Sequence, residues 1–232
     1  DDARGTLEAA LNAFGDRIAL ACSFSKEDIV VIHLLRELTD SPRIFAIDTG
    51  RLHESTYECA DRVRFKFGVD IEWYFPKHEA VEALTRAQGL FSFRESLENR
   101  HECCRIRKVE PLTRALQGLD AWITGLRRDQ AVTRSDLQPV SVDDANNGIT
   151  KISPLASWTE AAVDEYIAQH RLPENRLHEL GYPSIGCAPC TRAVEAGEDP
   201  RSGRWWWENP EHKECGLHQR HPDEEGPRSW TI

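Results

Sequence analysis

Four of the seven cysteines in this 232-residue sequence form two close pairs. Cys103 is followed directly by Cys104, and two residues separate Cys187 from Cys190. Zinc favours cysteines spaced two to four residues apart, whereas iron–sulfur clusters accept a wider range of spacings. Adjacent cysteines serve one zinc ion badly because their side chains diverge, while a cluster offers a separate iron atom to each sulfur. The spacing therefore favours an iron–sulfur cluster, with zinc as the alternative.

The second pair also resembles a thioredoxin-like redox motif, because Ala188 and Pro189 separate its cysteines. Such a motif follows an early strand and opens a helix. This pair lies late in the chain, and Gly197 and Pro200 disfavour a helix after it. The sequence context therefore disfavours a redox-active pair.

Cys215 is a separate candidate, for a nucleophile. A lone cysteine is more often a small buried apolar residue, and we interpret Cys22 and Cys59 in this way. Cys215 differs because Lys213 and His218 lie close to it in the sequence. Cationic neighbours lower the pKa of a thiol and so increase the fraction of reactive thiolate.

The charge distribution points to a local site for an oxyanion. The chain contains 29 Lys and Arg against 39 Asp and Glu, a formal net charge of -10. Nucleic-acid binding depends on phosphate neutralisation, so we expect no nucleic-acid partner. Residues 101–134, however, contain seven Lys or Arg against four Asp or Glu, and Arg201 and Arg204 precede three tryptophans. Guanidinium groups match phosphate and sulfate oxygens, although any one Arg is more simply explained as a solvated residue.

The elements that must position these residues follow from the apolar pattern. Short apolar runs typical of strands occur at 18–22, 43–47, 69–75 and 120–124. Helical periodicity occurs at 28–38, 53–67 and 77–88. This alternation predicts an α/β fold with a mostly parallel sheet flanked by helices. After residue 130 the pattern weakens, and Ser157–Glu160 resembles a capping box before a helix that ends near residue 170.

Polar loops follow three of the predicted strands. They lie at 23–27, 48–51 and 125–130. Ligands of open parallel sheets bind beyond the carboxyl ends of the strands. The three loops therefore predict a polar ligand site at that edge. The Cys-rich region after residue 170 has few periodic apolar residues, and we expect a metal or ligand to organise it.

These motifs together resemble the assimilatory adenylyl-sulfate reductases, the iron–sulfur branch of the phosphosulfate reductase family. The resemblance extends from about Ala10 to His218. Residues 23–28 correspond to the PP-loop of the family. The other matching segments are 48–51, 102–108, 124–130, 133–135, 187–190 and 214–218. The resemblance implies an adenine nucleotide alpha-hydrolase-like (PP-loop) fold with a Cys-rich C-terminal segment. We expect one domain over residues 1–220 and a flexible tail over 221–232.

The resemblance also implies an activity, which is thioredoxin-dependent reduction of adenosine 5'-phosphosulfate to sulfite and AMP in sulfate assimilation and cysteine biosynthesis. Cys215 would be the catalytic nucleophile and carry an S-sulfocysteine intermediate. A [4Fe–4S] cluster would be bound by Cys103, Cys104, Cys187 and Cys190. Substrate binding is implied for Ser23, Phe24, Ser25, Glu27, Asp28, Asp48, Thr49, Gly50, Arg51, Lys108, Gly125, Arg134, Arg201, Arg204 and His218.

Other functions remain alternatives at this point. The enzyme could act on 3'-phosphoadenosine 5'-phosphosulfate, or on both nucleotides. A PP-loop ATP pyrophosphatase is a more distant alternative, because its usual S-G-G-x-D-S loop is absent. The alternative from another functional class is a protein without enzymatic activity, either a redox sensor that carries a cluster or a zinc-binding interaction module. No apolar run approaches the 18 to 20 residues of a membrane span, so we expect no membrane contact. An odd number of cysteines without a secretory signal argues against a secreted disulfide scaffold, so we expect a cytoplasmic protein with reduced thiols. A homo-oligomer is compatible with the resemblance.

Overall fold

The computed structural model describes residues 2–131 and 134–209. The predictions made for Cys215, His218 and the tail at 221–232 lie outside these residues. The helices are α1 (Ala3–Phe14), α2 (Lys26–Leu38), α3 (Glu54–Phe67), α4 (His78–Gln88), α5 (Leu97–Cys104), α6 (Glu110–Ala115) and α7 (Glu160–His170). The strands are β1 (Ile18–Cys22), β2 (Ile44–Ile47), β3 (Glu72–Tyr74), β4 (Ala121–Ile123), β5 (Val140–Asp143) and β6 (Ile149–Ile152).

The strands form one sheet in the order β3-β2-β1-β4-β6-β5. Every neighbouring pair is parallel except β5 and β6, which are antiparallel. The prediction of a mostly parallel sheet flanked by helices is therefore confirmed. The carboxyl ends of β1, β2 and β4 lie at one edge, because these three strands run in the same direction.

Both faces of the sheet are covered by apolar side chains. Leu20 of β1 packs on one face with Ile29 of α2, and both are fully buried. On the other face, Phe45 of β2 and Trp122 of β4 pack against Leu112 of α6. Burial on both faces explains why the central strands appear in the sequence as nearly continuous apolar runs. Among the described residues, no helix combines the length and the apolar composition needed to cross a membrane.

Three parts of the fold differ from the sequence-based prediction. The strands β5 and β6 were not predicted, because both are short and mix polar with apolar residues. The helices α1, α5 and α6 were also not predicted. α7 begins at Glu160 with Thr159 as its N-cap, whose hydroxyl accepts a hydrogen bond from the Ala162 N–H at 3.1 Å. The prediction of a capping box starting at Ser157 is therefore wrong, since Thr159 lies next to the first helical residue.

The first cysteine pair lies at a change of helical geometry. Cys103 and Cys104 end α5, and a wider π-helical turn at Arg105–Val109 connects it to α6. Such turns are rare and occur often at functional sites. Both cysteines are buried, and so is the Arg107 side chain in the π turn.

Candidate active site

The loops after β1, β2 and β4 meet at one cavity of about 590 Å³. Ser23 to Asp28 line it from the first loop, Thr49 from the second, and Gly125 to Arg127 from the third. Ligand sites in proteins typically enclose about 300–1,000 Å³. The prediction that the three strand-end loops lie close together is confirmed.

The loop after β1 is closed by hydrogen bonds to Asp28. Asp28 Oδ2 accepts from the Ser23 N–H at 2.6 Å and from the Ser23 hydroxyl at 2.7 Å. Burial raises the pKa of the Asp28 carboxyl to about 6. Phe24 adopts a left-handed backbone conformation with φ of 62°, and its ring stacks on Trp73 at 5.6 Å between centroids. Stacking of this kind offsets part of the cost of a positive φ in a non-glycine residue.

The loops after β1 and β4 are joined by a buried ion pair and a close backbone approach. Arg127 Nε donates to Glu27 Oε1 at 2.9 Å, with both side chains at most 10% exposed. A Cβ atom at Gly125 would lie 2.5 Å from Asp28 Oδ1 and 2.9 Å from Glu27 Cβ. Glycine at position 125 therefore allows the two loops to touch.

The loop after β2 is held in place by hydrogen bonds to Asp48. Asp48 Oδ1 accepts from the Gly50 N–H at 2.7 Å and from the Tyr57 hydroxyl at 3.0 Å. Burial and this hydrogen bond raise the pKa of Tyr57 to about 12. Asp48, Gly50 and Arg51 do not line the large cavity in the part of the chain described, so their predicted contact with substrate stays a prediction.

Cationic side chains from distant parts of the chain line the same cavity. They are Lys108, Arg134, Arg201 and Arg204. Arg204 donates to the Ser184 hydroxyl at 3.2 Å and to the Ile185 carbonyl at 3.1 Å. Its guanidinium approaches Gly186 so closely that a Cβ there would lie 2.4 Å from a terminal nitrogen. The predicted oxyanion-binding residues among the described part of the chain are thus brought together.

The four paired cysteines line a second, smaller cavity. Its wall also contains Arg51, Phe93, Arg100, Arg107, Lys108 and Trp205. Lys108 and Cys187 line both cavities, so the two sites share a wall. Burial raises the pKa of the Cys103 thiol, and it raises the pKa of the Cys190 thiol to about 12. Bound metal would reverse this effect, because coordination deprotonates a thiol.

The wall of this second cavity contains three arginines and one lysine, a charge that suits an anionic group. Arg107 Nε and Trp205 Nε1 are buried and have no acceptor among the described residues. Within residues 2–131 and 134–209, no three His, Cys, Asp or Glu side chains are grouped closely enough to hold one metal ion. The cationic lining and these two buried donors are the features of the described residues that suit an anionic group.

The sequence has relatives with known names. Residues 17–193 match the family described as the phosphoadenosine phosphosulfate reductase domain. The chain belongs to this family. A family member from Allochromatium vinosum, named adenosine 5'-phosphosulfate reductase, is 52% identical over 205 residues, which cover 88% of this chain and 80% of that protein. A Burkholderia cepacia protein with the same name is 48% identical over 215 residues, covering 91% and 86% respectively.

Solved structures agree with this assignment to the phosphosulfate reductase family. The crystal structure of phosphoadenylyl-sulfate reductase from Candida auris, in a phosphate complex, has a TM-score of 0.70 and 29% identity. The similarity covers 84% of this chain and 91% of that chain. An FMN adenylyltransferase from Candida glabrata, with a TM-score of 0.59 and 13% identity, covers 95% of this chain and 74% of its own and shares the fold alone. The predicted PP-loop type of α/β fold is therefore confirmed.

Several cavity residues of this family member were not predicted from the sequence. Trp122 lines the cavity, and its Nε1 donates to Asp143 Oδ2 at 3.1 Å. His178 lines the cavity, and its Nδ1 is 3.0 Å from the Tyr182 carbonyl oxygen. Burial lowers the pKa of His178. The sequence carried no signal for His178, whereas Trp122 appeared only as a strand residue.

Proposed function

We propose that this protein reduces adenosine 5'-phosphosulfate to sulfite and AMP with thioredoxin as the electron donor. One observation carries the proposal: cationic residues far apart in the sequence line the cavity that the PP-loop also lines. The names of the Allochromatium and Burkholderia relatives support the choice of substrate.

The cavity suits an adenine nucleotide whose phosphate carries a sulfuryl group. The first turn of α2, which begins at Lys26, lines the cavity, and the N-terminus of a helix favours anions. Lys108, Arg134, Arg201 and Arg204, with His218 from outside the described residues, would hold the phosphosulfate oxygens. The PP-loop residues together with Asp48, Thr49, Gly50, Arg51 and Gly125 would hold the nucleoside and its phosphate.

The proposed reaction has three steps, with Cys215 as the nucleophile in the first. The Cys215 thiolate attacks the sulfuryl sulfur, a sulfur–sulfur bond forms, and the bond from that sulfur to the phosphate oxygen breaks, so AMP leaves. A thioredoxin thiolate then attacks Cys215 Sγ, and sulfite leaves as a mixed disulfide forms. The second thioredoxin thiol resolves this disulfide, so two thiols are oxidised while sulfate-level sulfur is reduced to sulfite. Preorganised cations would stabilise the charge that develops on both leaving groups.

We also propose that Cys103, Cys104, Cys187 and Cys190 hold a [4Fe–4S] cluster. When bound, the cluster would supply a charged group that organises the residues around it, and the thiols of Cys215 and thioredoxin would supply the two electrons. Lys108 supports this proposal because it lines both cavities and can interact with the cluster and with the sulfate. The Cys103→Ala variant should lose iron, visible absorption and activity together.

The decisive test is the Cys215→Ser variant, compared with Cys59→Ala. Cys59 is a buried thiol of α3 that lines neither cavity, so its variant controls for loss of a cysteine. Cys215→Ser should release neither AMP nor sulfite from adenosine 5'-phosphosulfate and should keep its iron. Mass spectrometry should detect a sulfonated Cys215 in the wild-type protein incubated with substrate alone. Sulfite formation by Cys215→Ser would refute the assignment.

The 3'-phosphorylated nucleotide is the second candidate substrate. The similarity to the Candida auris phosphoadenylyl-sulfate reductase supports this substrate. The sequence identity to that protein is 29%, lower than the 52% identity to the Allochromatium adenosine 5'-phosphosulfate reductase. Values of kcat/KM for the two nucleotides would decide between them. A cytoplasmic location, a homo-oligomer and a single domain through residue 220 are parts of the same proposal.

A further inference from the structure

An exposed aromatic surface lies on the outside of the cysteine cavity. We define the aromatic patch as Leu90, Phe91 and Trp206, with Arg94 between the two rings. These apolar side chains are 59%, 56% and 38% exposed respectively. The Arg94 guanidinium carbon is 5.3 Å from the Phe91 ring centroid and 5.4 Å from that of Trp206. The shared guanidinium makes the two rings one surface, although they come from distant parts of the sequence.

Hydrogen bonds connect the aromatic patch to residues around the paired cysteines. Arg94 donates to the carbonyl oxygen of Pro189, which lies between two of the paired cysteines, at 2.9 Å. Arg51, which lines the cysteine cavity, donates to the Leu90 carbonyl at 2.7 Å. The patch is therefore held in place by the wall of the cysteine cavity, and little ordering entropy would be lost when a partner binds it.

The position of the patch along the chain limits which partner can use it. Cys215 follows Trp206 by nine residues. A chain spans at most about 3.3–3.6 Å per residue, so the two Cα atoms are no more than about 30 Å apart. A partner domain of about 100 residues has a radius of gyration near 13 Å. A protein bonded to Cys215 is therefore large enough to cover the patch at the same time.

We propose that the aromatic patch is the docking surface for the thioredoxin-type dithiol protein that releases sulfite, an inference that rests on the proposed function. The partner must form a mixed disulfide with Cys215 and then leave, so the interface must be small and short-lived. Small interfaces derive most of their affinity from a few aromatic and Arg side chains. Phe91, Arg94 and Trp206 are residues of these types.

AMP and sulfite are released in separate steps of the reaction, so the two releases can be measured separately. Phe91→Ala and Trp206→Ala are compared with wild type and with Phe65→Ala, whose ring on α3 is 93% exposed outside the patch. Three quantities are measured for each protein: AMP release without reductant, sulfite release by dithiothreitol, and the KM for thioredoxin. Both patch variants should raise the KM for thioredoxin about tenfold. The other two quantities should equal those of wild type, and Phe65→Ala should leave all three unchanged.

Different failures give different patterns. An unchanged KM for thioredoxin in both patch variants would overturn the docking surface. An equal loss of sulfite release with dithiothreitol and with thioredoxin would also overturn it, because the patch would then hold the Cys215 segment of this chain. Absence of AMP release from the wild-type protein would instead refute the proposed function. A fully active wild type with unaffected patch variants would refute the docking surface alone.

Discussion

The ion pair between Arg100 and Glu208 provides the sharpest test of how the cysteine cavity is held together. Arg100 Nε donates to Glu208 Oε1 at 2.9 Å, and a terminal nitrogen donates to Oε2 at 3.0 Å. The two side chains are 1% and 8% exposed. The Arg100 guanidinium also lies 4.7 Å from the ring centroid of Trp205, which has a positive φ of 40°. The pair therefore joins α5, which carries two cysteines, to the segment that carries Arg201 and Arg204.

Removing one partner should be much more damaging than removing both. Loss of one member of a buried pair leaves an uncompensated charge and costs about 3–5 kcal/mol, whereas apolar replacement of both is often nearly neutral. Native proteins are stable by only about 5–15 kcal/mol, so Glu208→Leu should lose a large fraction of the unfolding free energy. At about 2–4 °C per kcal/mol for a chain of this size, the melting temperature should fall by roughly 10 °C. The double variant Arg100→Met/Glu208→Leu should recover most of this loss.

Urea unfolding followed by tryptophan fluorescence measures these differences. The matched control is Glu72→Leu, which breaks an ion pair with Arg43 whose side chains are 38% and 41% exposed. This control should lose less than about 1 kcal/mol, because solvent screens exposed pairs. The reasoning is refuted if Glu208→Leu is no less stable than the control, or if the double variant is as unstable as the single one.

Two further predictions concern the PP-loop. Gly125→Ala should weaken AMP binding about tenfold by calorimetry, because its Cβ would overlap Asp28 and Glu27, an overpacking cost of about 1–3 kcal/mol. Gly68→Ala strains a backbone with φ of 61° at a position that does not line the cavity, so it controls for a general loss of stability and should leave the affinity unchanged. Equal affinities for both variants would contradict the overlap argument. The folded-state pKa of Asp28 is about 6, above the ordinary value of 3.8, so folding takes up a proton there and the unfolding free energy should fall as pH rises from about 4 to 6. Asp28→Asn should remove this part of the pH profile, and a wild-type-minus-variant difference that stays flat from pH 4 to 7 would rule out the shifted pKa.

Local sequence patterns were sufficient for the central fold and for part of the site. The apolar runs at β1, β2 and β4 are buried on both faces, and α2 and α3 show helical periodicity, so their positions follow from residues close together in the chain. The polar loops that follow these strands necessarily meet at one edge, because parallel strands end there. The two cysteine pairs could also be recognised from the sequence, because the short spacing within each pair itself indicates a metal or cluster site.

The contacts between distant residues could be read only from the folded chain. β5 and β6 are held by pairing with each other and with β4, and each offers only four residues of mixed polarity as a local signal. Arg100 and Glu208 are 108 positions apart, and each by itself looks like an ordinary surface charge. Local periodicity reports only which side of an element is buried. The packing of the helices across the sheet decides which buried charges meet. The same packing places Lys108 on the wall between the two cavities.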